Sequence, residues 1–117
     1  MTKQGTLYIC ATPIGNLEDI TYRAVRIMGE CDAIACEDTR QTVKLLNHYG
    51  IKKPLISYHE HNERMRTEEL LQRLEAGENI VLVSDAGLPG ISDPGFVVVQ
   101  QARSKGYPVT VLPGASA

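Results

Sequence analysis

The chain has 117 residues, 43% of them apolar and 22% charged, which suits one folded domain with a single core and excludes a disordered segment. Twelve Lys and Arg stand against fourteen Asp and Glu, a formal charge of −2, so there is no overall basic field for nucleic acid. No apolar run approaches the ~18 residues of a membrane span, no signal-peptide segment opens the chain, and Cys10, Cys31 and Cys36 form neither a CxxC pair nor a disulfide framework, so a cytoplasmic protein is expected.

Residues 6–10 are a short apolar run of the kind found in strands covered on both faces. The loop Ala11-Thr12-Pro13-Ile14-Gly15-Asn16 follows; it is neither a Walker loop nor a GxGxxG fingerprint, and a tight turn accounts for it. Ile20, Ala24, Ile27 and Met28 then recur at helical spacing, with Gly29 expected to end that helix. Residues 33–36 predict a second strand. Directly after it stand two carboxylates and a guanidinium, Glu37-Asp38-Thr39-Arg40, able to orient a polar substrate or supply a base. Asp38 with Gln41 three residues later also reads as a capping box, opening a helix with the apolar stripe Val43, Leu46 and Tyr49 that ends at Gly50.

Residues 55–57 predict a third strand, followed by Ser57-Tyr58-His59-Glu60-His61-Asn62-Glu63. Two of the three histidines lie there, yet no third ligand has metal-site spacing, so a polar, substrate-facing loop without metal is expected. Leu70, Leu71 and Leu74 mark a third helix, closed by Gly77, and residues 80–83 a fourth strand. The segment 84–95 carries three glycines, two prolines and two aspartates; it is longer than a connection needs and exposes backbone groups to a ligand. Asp93-Pro94 then opens a helix over 95–105 with Val98, Val99 and Ala102, closed by Gly106, and residues 109–112 predict a fifth strand.

Strand and helix alternating in this way predict an α/β fold: a five-stranded, mainly parallel sheet with helices on both faces and right-handed crossovers. Loops at the carboxyl ends of such strands carry function. Because the sequence stops at Pro113-Gly114-Ala115-Ser116-Ala117, directly after the fifth strand, residues 1–117 are expected to be the first domain of a longer, two-domain protein.

The ordered set of Gly5-Thr6-Leu7-Tyr8, Ala11-Thr12-Pro13-Ile14-Gly15-Asn16-Leu17 with Asp19-Ile20 and Arg23-Ala24, Glu37-Asp38-Thr39-Arg40, the 57–63 and 84–95 loops, and Pro113-Gly114-Ala115-Ser116-Ala117 resembles the amino-terminal domain of the tetrapyrrole methylase superfamily. These are S-adenosylmethionine-dependent methyltransferases of two α/β domains. The resemblance implies a methyl donor held between this domain and a second, with Ile14, Gly15, Asp85, Ala86, Gly87, Ile91, Ser92, Gly114, Ala115 and Ser116 touching it. Ala11 and Pro13 replace the early glycines of the porphyrin-modifying members, Asn16 replaces an aspartate, and Gly87-Leu88-Pro89 replaces Gly-Asp-Pro. The motifs are more similar to the branch that methylates the 2′-hydroxyl of a cytidine in small-subunit ribosomal RNA. That implies the small ribosomal subunit as partner, a homodimer at full length, no membrane, no metal, and no activity for this domain alone.

Methyl transfer from a sulfonium is an in-line displacement governed by positioning and water exclusion. A ribose hydroxyl needs an acceptor beside it, for which Glu37, His59 and Glu60 are candidates, with Arg40 holding a phosphate or ribose. Since phosphate neutralisation dominates RNA affinity, the basic surface is expected on the second domain, on a dimer partner, or in clusters such as Lys52-Lys53 and Arg64 with Arg66. Alternative readings are a methyltransferase for a corrin or porphyrin precursor, and a non-catalytic ligand-binding module using its Gly/Pro loops for phosphate.

Overall fold

In the computed structural model, which describes residues 4–11, 21–59, 61–84 and 95–112, strands and helices alternate strictly. The strands are β1 (Leu7–Ala11), β2 (Ala33–Cys36), β3 (Leu55–Ser57), β4 (Ile80–Ser84) and β5 (Val109–Leu112). The helices are α1 (Tyr22–Glu30), α2 (Thr39–His48), α3 (Glu63–Glu75) and α4 (Gly95–Ser104). The sheet order is β3-β2-β4-β1-β5, and every neighbouring pair is parallel, as the apolar, weakly alternating strands predict.

Side-chain alternation along each strand sorts the core into two layers. Leu7 and Ile9, Ala33 and Ala35, Ile56, and Ile80 and Leu82 face α3 and α4, meeting Leu70, Leu71, Leu74, Val98, Val99 and Ala102. Cys10, Ile34, Cys36, Val81, Val83 and Leu112 face α1 and α2, meeting Ala24, Ile27, Met28, Leu45 and Leu46. Each fully buried Leu or Ile contributes roughly 1.5–3 kcal/mol, and about half of the buried residues in the two layers are Leu or Ile, with Ala, Val, Cys, Met and Tyr between them.

Two expectations about helix faces and ends are corrected. α2 buries Thr42, Leu45 and Leu46, while Val43 is 42% exposed. Thr42 can take the inward position because its hydroxyl donates to the Asp38 carbonyl at 3.0 Å, leaving only its methyl to the core. Gly29 does not end α1, which runs one residue further and closes on Cys31 in extended conformation, its N–H donating to the Ile27 carbonyl. Gly50, Gly77 and Gly106 do end their helices, with φ of 69°, 95° and 81°, where a Cβ would be strained.

At the amino edge of the sheet, Asn79 ties three strands together. Its Oδ1 accepts from Thr6 N–H at 2.9 Å, its N–H donates to Asp32 Oδ2 at 2.7 Å, and its carbonyl accepts from Asp32 N–H at 2.8 Å. Gly5 is packed so closely on Glu78 that a Cβ would run into the Glu78 carbonyl oxygen. Among the described residues no helix is long and apolar enough to cross a membrane.

Candidate functional site

The strands finish level with one another. Ala11 lies opposite Ser84, Cys10 opposite Leu112, and Cys36 opposite both Val83 and Ser57, so the five carboxyl ends make one rim. From β2 the chain passes through α2 outward to β3; from β4 it passes through α4 to β5 on the other side of the sheet. β2 and β4 are neighbours whose onward connections part in opposite directions, and their helices lie on opposite faces. Divergence of this kind marks where open α/β sheets form their ligand crevice, at the carboxyl rim.

Glu37 leaves β2 immediately after Cys36, whose partner on β4 is Val83, so it stands beside this crevice. Glu37, Asp38 and Arg40 are exposed, and with Thr39, Gln41 and Lys44 they line an open depression of about 810 Å³. Their roles separate on geometry. Asp38 Oδ1 accepts from Arg40 N–H at 3.0 Å and from Gln41 N–H at 3.2 Å, so this carboxylate caps α2. Glu37 and the Arg40 guanidinium have no part in the cap and face solvent.

The next rim segment is built around Asn62. Its Oδ1 accepts from His59 N–H at 2.8 Å, and its Nδ2 donates to the Ser57 carbonyl at 3.1 Å, tying Asn62 back to the end of β3. Asn62 therefore makes no side-chain cap on α3, although it occupies the cap position. His59 is half-buried; its Nδ1 accepts from His61 N–H at 3.2 Å, and its Nε2 lies 3.3 Å from Asn62 Nδ2. The Nδ1 contact orients the imidazole; a neutral ring accepts at one nitrogen only, so Nε2 does not also accept from Asn62. Tyr58 N–H donates to the Cys36 carbonyl at 2.8 Å, joining this turn to the end of β2. Its side chain turns inward to Thr67, and burial pushes its phenol pKa up, an effect partly offset by the Thr67 hydrogen bond.

Glu37 after β2, Arg40 in the first turn of α2 and His59 after β3 therefore stand at the same end of the sheet, β2 and β3 being neighbours. Glu60, Ile14, Gly15, Asp85, Ala86, Gly87, Ile91, Ser92, Gly114, Ala115 and Ser116 lie outside the described residues, as does the Asp93-Pro94 helix start. Two residues at the rim were not singled out from sequence. Asn62 carried a signal in the tendency of Asn to bond backbone groups within turns, and Lys44 in its i,i+4 spacing from Arg40. None of the cysteines is disulfide-bonded; Cys10, near the rim, is buried and its thiol is pushed up to about 11 by desolvation, which keeps it protonated at neutral pH. Among the described residues no three His, Cys, Asp or Glu side chains converge as metal ligands.

The sequence model of the Tetrapyrrole (Corrin/Porphyrin) Methylases matches residues 6–117. The chain belongs to the tetrapyrrole methylase family. Within the family it is 56% identical over 114 residues to the ribosomal RNA small subunit methyltransferase I of Halalkalibacterium halodurans, covering 97% of this chain and 39% of that protein. The namesake from Synechocystis is 57% identical over 113 residues, covering 97% and 40%. The chain spans about two fifths of the length of these curated relatives. Tetrapyrrole methylase architecture is also seen in solved structures. Diphthine synthase superposes with a TM-score of 0.72 at 16% identity, covering 94% of this chain and 44% of that one. Uroporphyrin-III C-methyltransferase of Thermus thermophilus, complexed with S-adenyl homocysteine, gives 0.68 at 21%, covering 94% and 45%. At those identities the likeness is one of fold.

Proposed function

We propose that this domain is the amino-terminal part of an S-adenosylmethionine-dependent methyltransferase that modifies a cytidine 2′-hydroxyl in small-subunit ribosomal RNA. The observation that carries this reading is the identity of 56–57%, across 97% of the chain, to proteins named ribosomal RNA small subunit methyltransferase I. The departures from the porphyrin-modifying members at Ala11, Pro13, Asn16 and Leu88 support the same choice over a tetrapyrrole substrate.

The donor supplies an activated methyl group on sulfur; this chain's residues supply position. Glu37, exposed beside the β2/β4 crevice, accepts a hydrogen bond from the attacking hydroxyl. Arg40 holds a phosphate or ribose of the same nucleotide. His59, oriented by the hydrogen bond that its Nδ1 accepts from His61 N–H, shapes the wall on which the nucleotide rests. Ile14, Gly15, Asp85, Ala86, Gly87, Ile91, Ser92, Gly114, Ala115 and Ser116 form this domain's half of the donor pocket, and Glu60 is a further acceptor.

The full-length protein incubated with small ribosomal subunits and methyl-labelled donor is expected to label ribosomal RNA on one cytidine, at a linkage that resists alkaline hydrolysis. Label on a tetrapyrrole precursor, or none on RNA, would overturn the proposal.

A further inference from the structure

We infer that the solvent face of α2 and the turn after it form a phosphate-tracking surface that guides an RNA strand into the β2/β4 crevice. This inference rests on the RNA substrate proposed above and adds where that substrate lies.

The charge of the chain is segregated. Residues 39–54 hold Arg40, Lys44, Lys52 and Lys53 without a single Asp or Glu, whereas the rest of the chain carries eight basic residues against fourteen acidic ones. α2 presents this charge outward: Thr42, Leu45 and Leu46 are buried, while Arg40, Gln41, Lys44 and His48 are exposed. Arg40, Lys44 and His48 recur at intervals of four, so they lie on one face about 6 Å apart along the axis. The chain then turns at Gly50, and Ile51 N–H donates to the Leu46 carbonyl at 2.8 Å, which holds the Lys52-Lys53 turn against the end of α2. A basic track therefore runs from the rim, where Arg40 and Lys44 line the open depression beside Glu37, down the side of the domain.

Pairing separates this surface from two arginines of α3. On α3, Arg66 lies 2.8 Å from Glu69, and Arg73 lies 3.0 Å from Glu78, so those charges are neutralised locally. Among the described residues, no carboxylate lies within ion-pair distance of Arg40, Lys44 or Lys52. Unpaired cations at regular intervals suit a polyanion whose charges repeat along a strand. They also explain how a chain of net charge −2 contributes to RNA binding.

The test uses the full-length protein and a fragment of small-subunit ribosomal RNA, with affinity measured across a range of salt concentrations. Triple substitution Lys44→Gln, Lys52→Gln, Lys53→Gln is expected to reduce the steepness of log affinity against log salt by about 2 to 3, each lysine accounting for about one phosphate. Donor binding by calorimetry stays unchanged. The control Arg103→Gln, Lys105→Gln, at the end of α4 on the opposite face of the sheet from α2, leaves the slope as it was. An unchanged slope in the first variant, or equal loss in both, overturns the surface while leaving the proposed reaction standing. Absence of RNA binding by the unmodified protein overturns both. Loss of binding to phosphatidylserine vesicles without any change toward RNA would assign the track to a membrane and overturn the inference.

Discussion

The Tyr58 hydroxyl lies 2.7 Å from the Thr67 hydroxyl oxygen, with both side chains buried beneath α3. One partner is the residue that follows β3 and the other sits on α3, so this bond fixes the floor under the rim turn that carries His59. Tyr58→Phe strands the Thr67 hydroxyl in the core and is expected to cost about 1–2 kcal/mol in urea unfolding. Thr67→Val should cost a similar amount. The double variant should lose clearly less than both together, since neither hydroxyl is then left unpaired; strict additivity would show that the pair is not coupled.

Asp38 and Glu37 are adjacent in sequence and separate in task. Asp38→Ala removes the acceptor for two backbone N–H groups and should lower stability by about 1 kcal/mol, with Asp38→Asn recovering most of it. Glu37→Gln should leave the melting temperature unchanged and slow methyl transfer by the full-length protein by about a hundredfold or more. Thermal melts together with single-turnover rates check both; full activity in Glu37→Gln would remove it from the reaction.

Gly5→Ala should destabilise the domain by about 2–3 kcal/mol, because the added Cβ collides with the Glu78 backbone and cannot be relieved by moving a side chain. Gly5 N–H also donates to the Leu74 carbonyl at 2.7 Å, so a shift of this strand entry costs a hydrogen bond. Gly29→Ala is the counterpart: nothing lies within 4 Å of a Cβ there, the residue is helical, and a gain of about 0.5–1 kcal/mol is expected. Denaturant midpoints for the two variants should move in opposite directions.

Burial holds the Cys10 thiol at about 11 against an ordinary 9.0, so the folded state keeps a proton that the unfolded chain releases. The stabilisation is complete below pH 9 and is lost as pH rises from 9 to 11, by about 2–3 kcal/mol for this group. Unfolding free energies measured across that interval should fall less steeply in Cys10→Ala than in the unmodified protein. Parallel curves would show that the thiol does not contribute.

Local chemistry made most of the elements legible. Short, mainly apolar runs of three to five residues marked the strands, and Asp38, Gly50, Gly77 and Gly106 marked helix ends through capping and left-handed geometry. The face of α2 was misphased because Thr42 counts as polar in a pattern, whereas in the helix it bonds the Asp38 carbonyl and buries its methyl. The strand order could not be read, because it depends on which apolar runs pair across the sheet and not on any one run. At the rim, Glu37, Arg40 and His59 were legible as polar residues directly after apolar strands. That Asp38 is the capping carboxylate was legible too, from its spacing to Gln41, and the two bonds it accepts at the start of α2 bear this out.

The placement of β1 has a consequence for biosynthesis. Leu7 pairs with Ile80 on one side and Val109 on the other, so β1, made before the other four strands, has neither of these partners until residues 80–84 have followed, and is flanked on both sides only once residues 109–112 are made. Among the five strands described, β2 and β3 are the one pair of neighbours made consecutively. A nascent chain must therefore shelter Leu7 and Ile9 from other chains while three helices are synthesised, and sequence-distant closure of this kind makes folding slow and late.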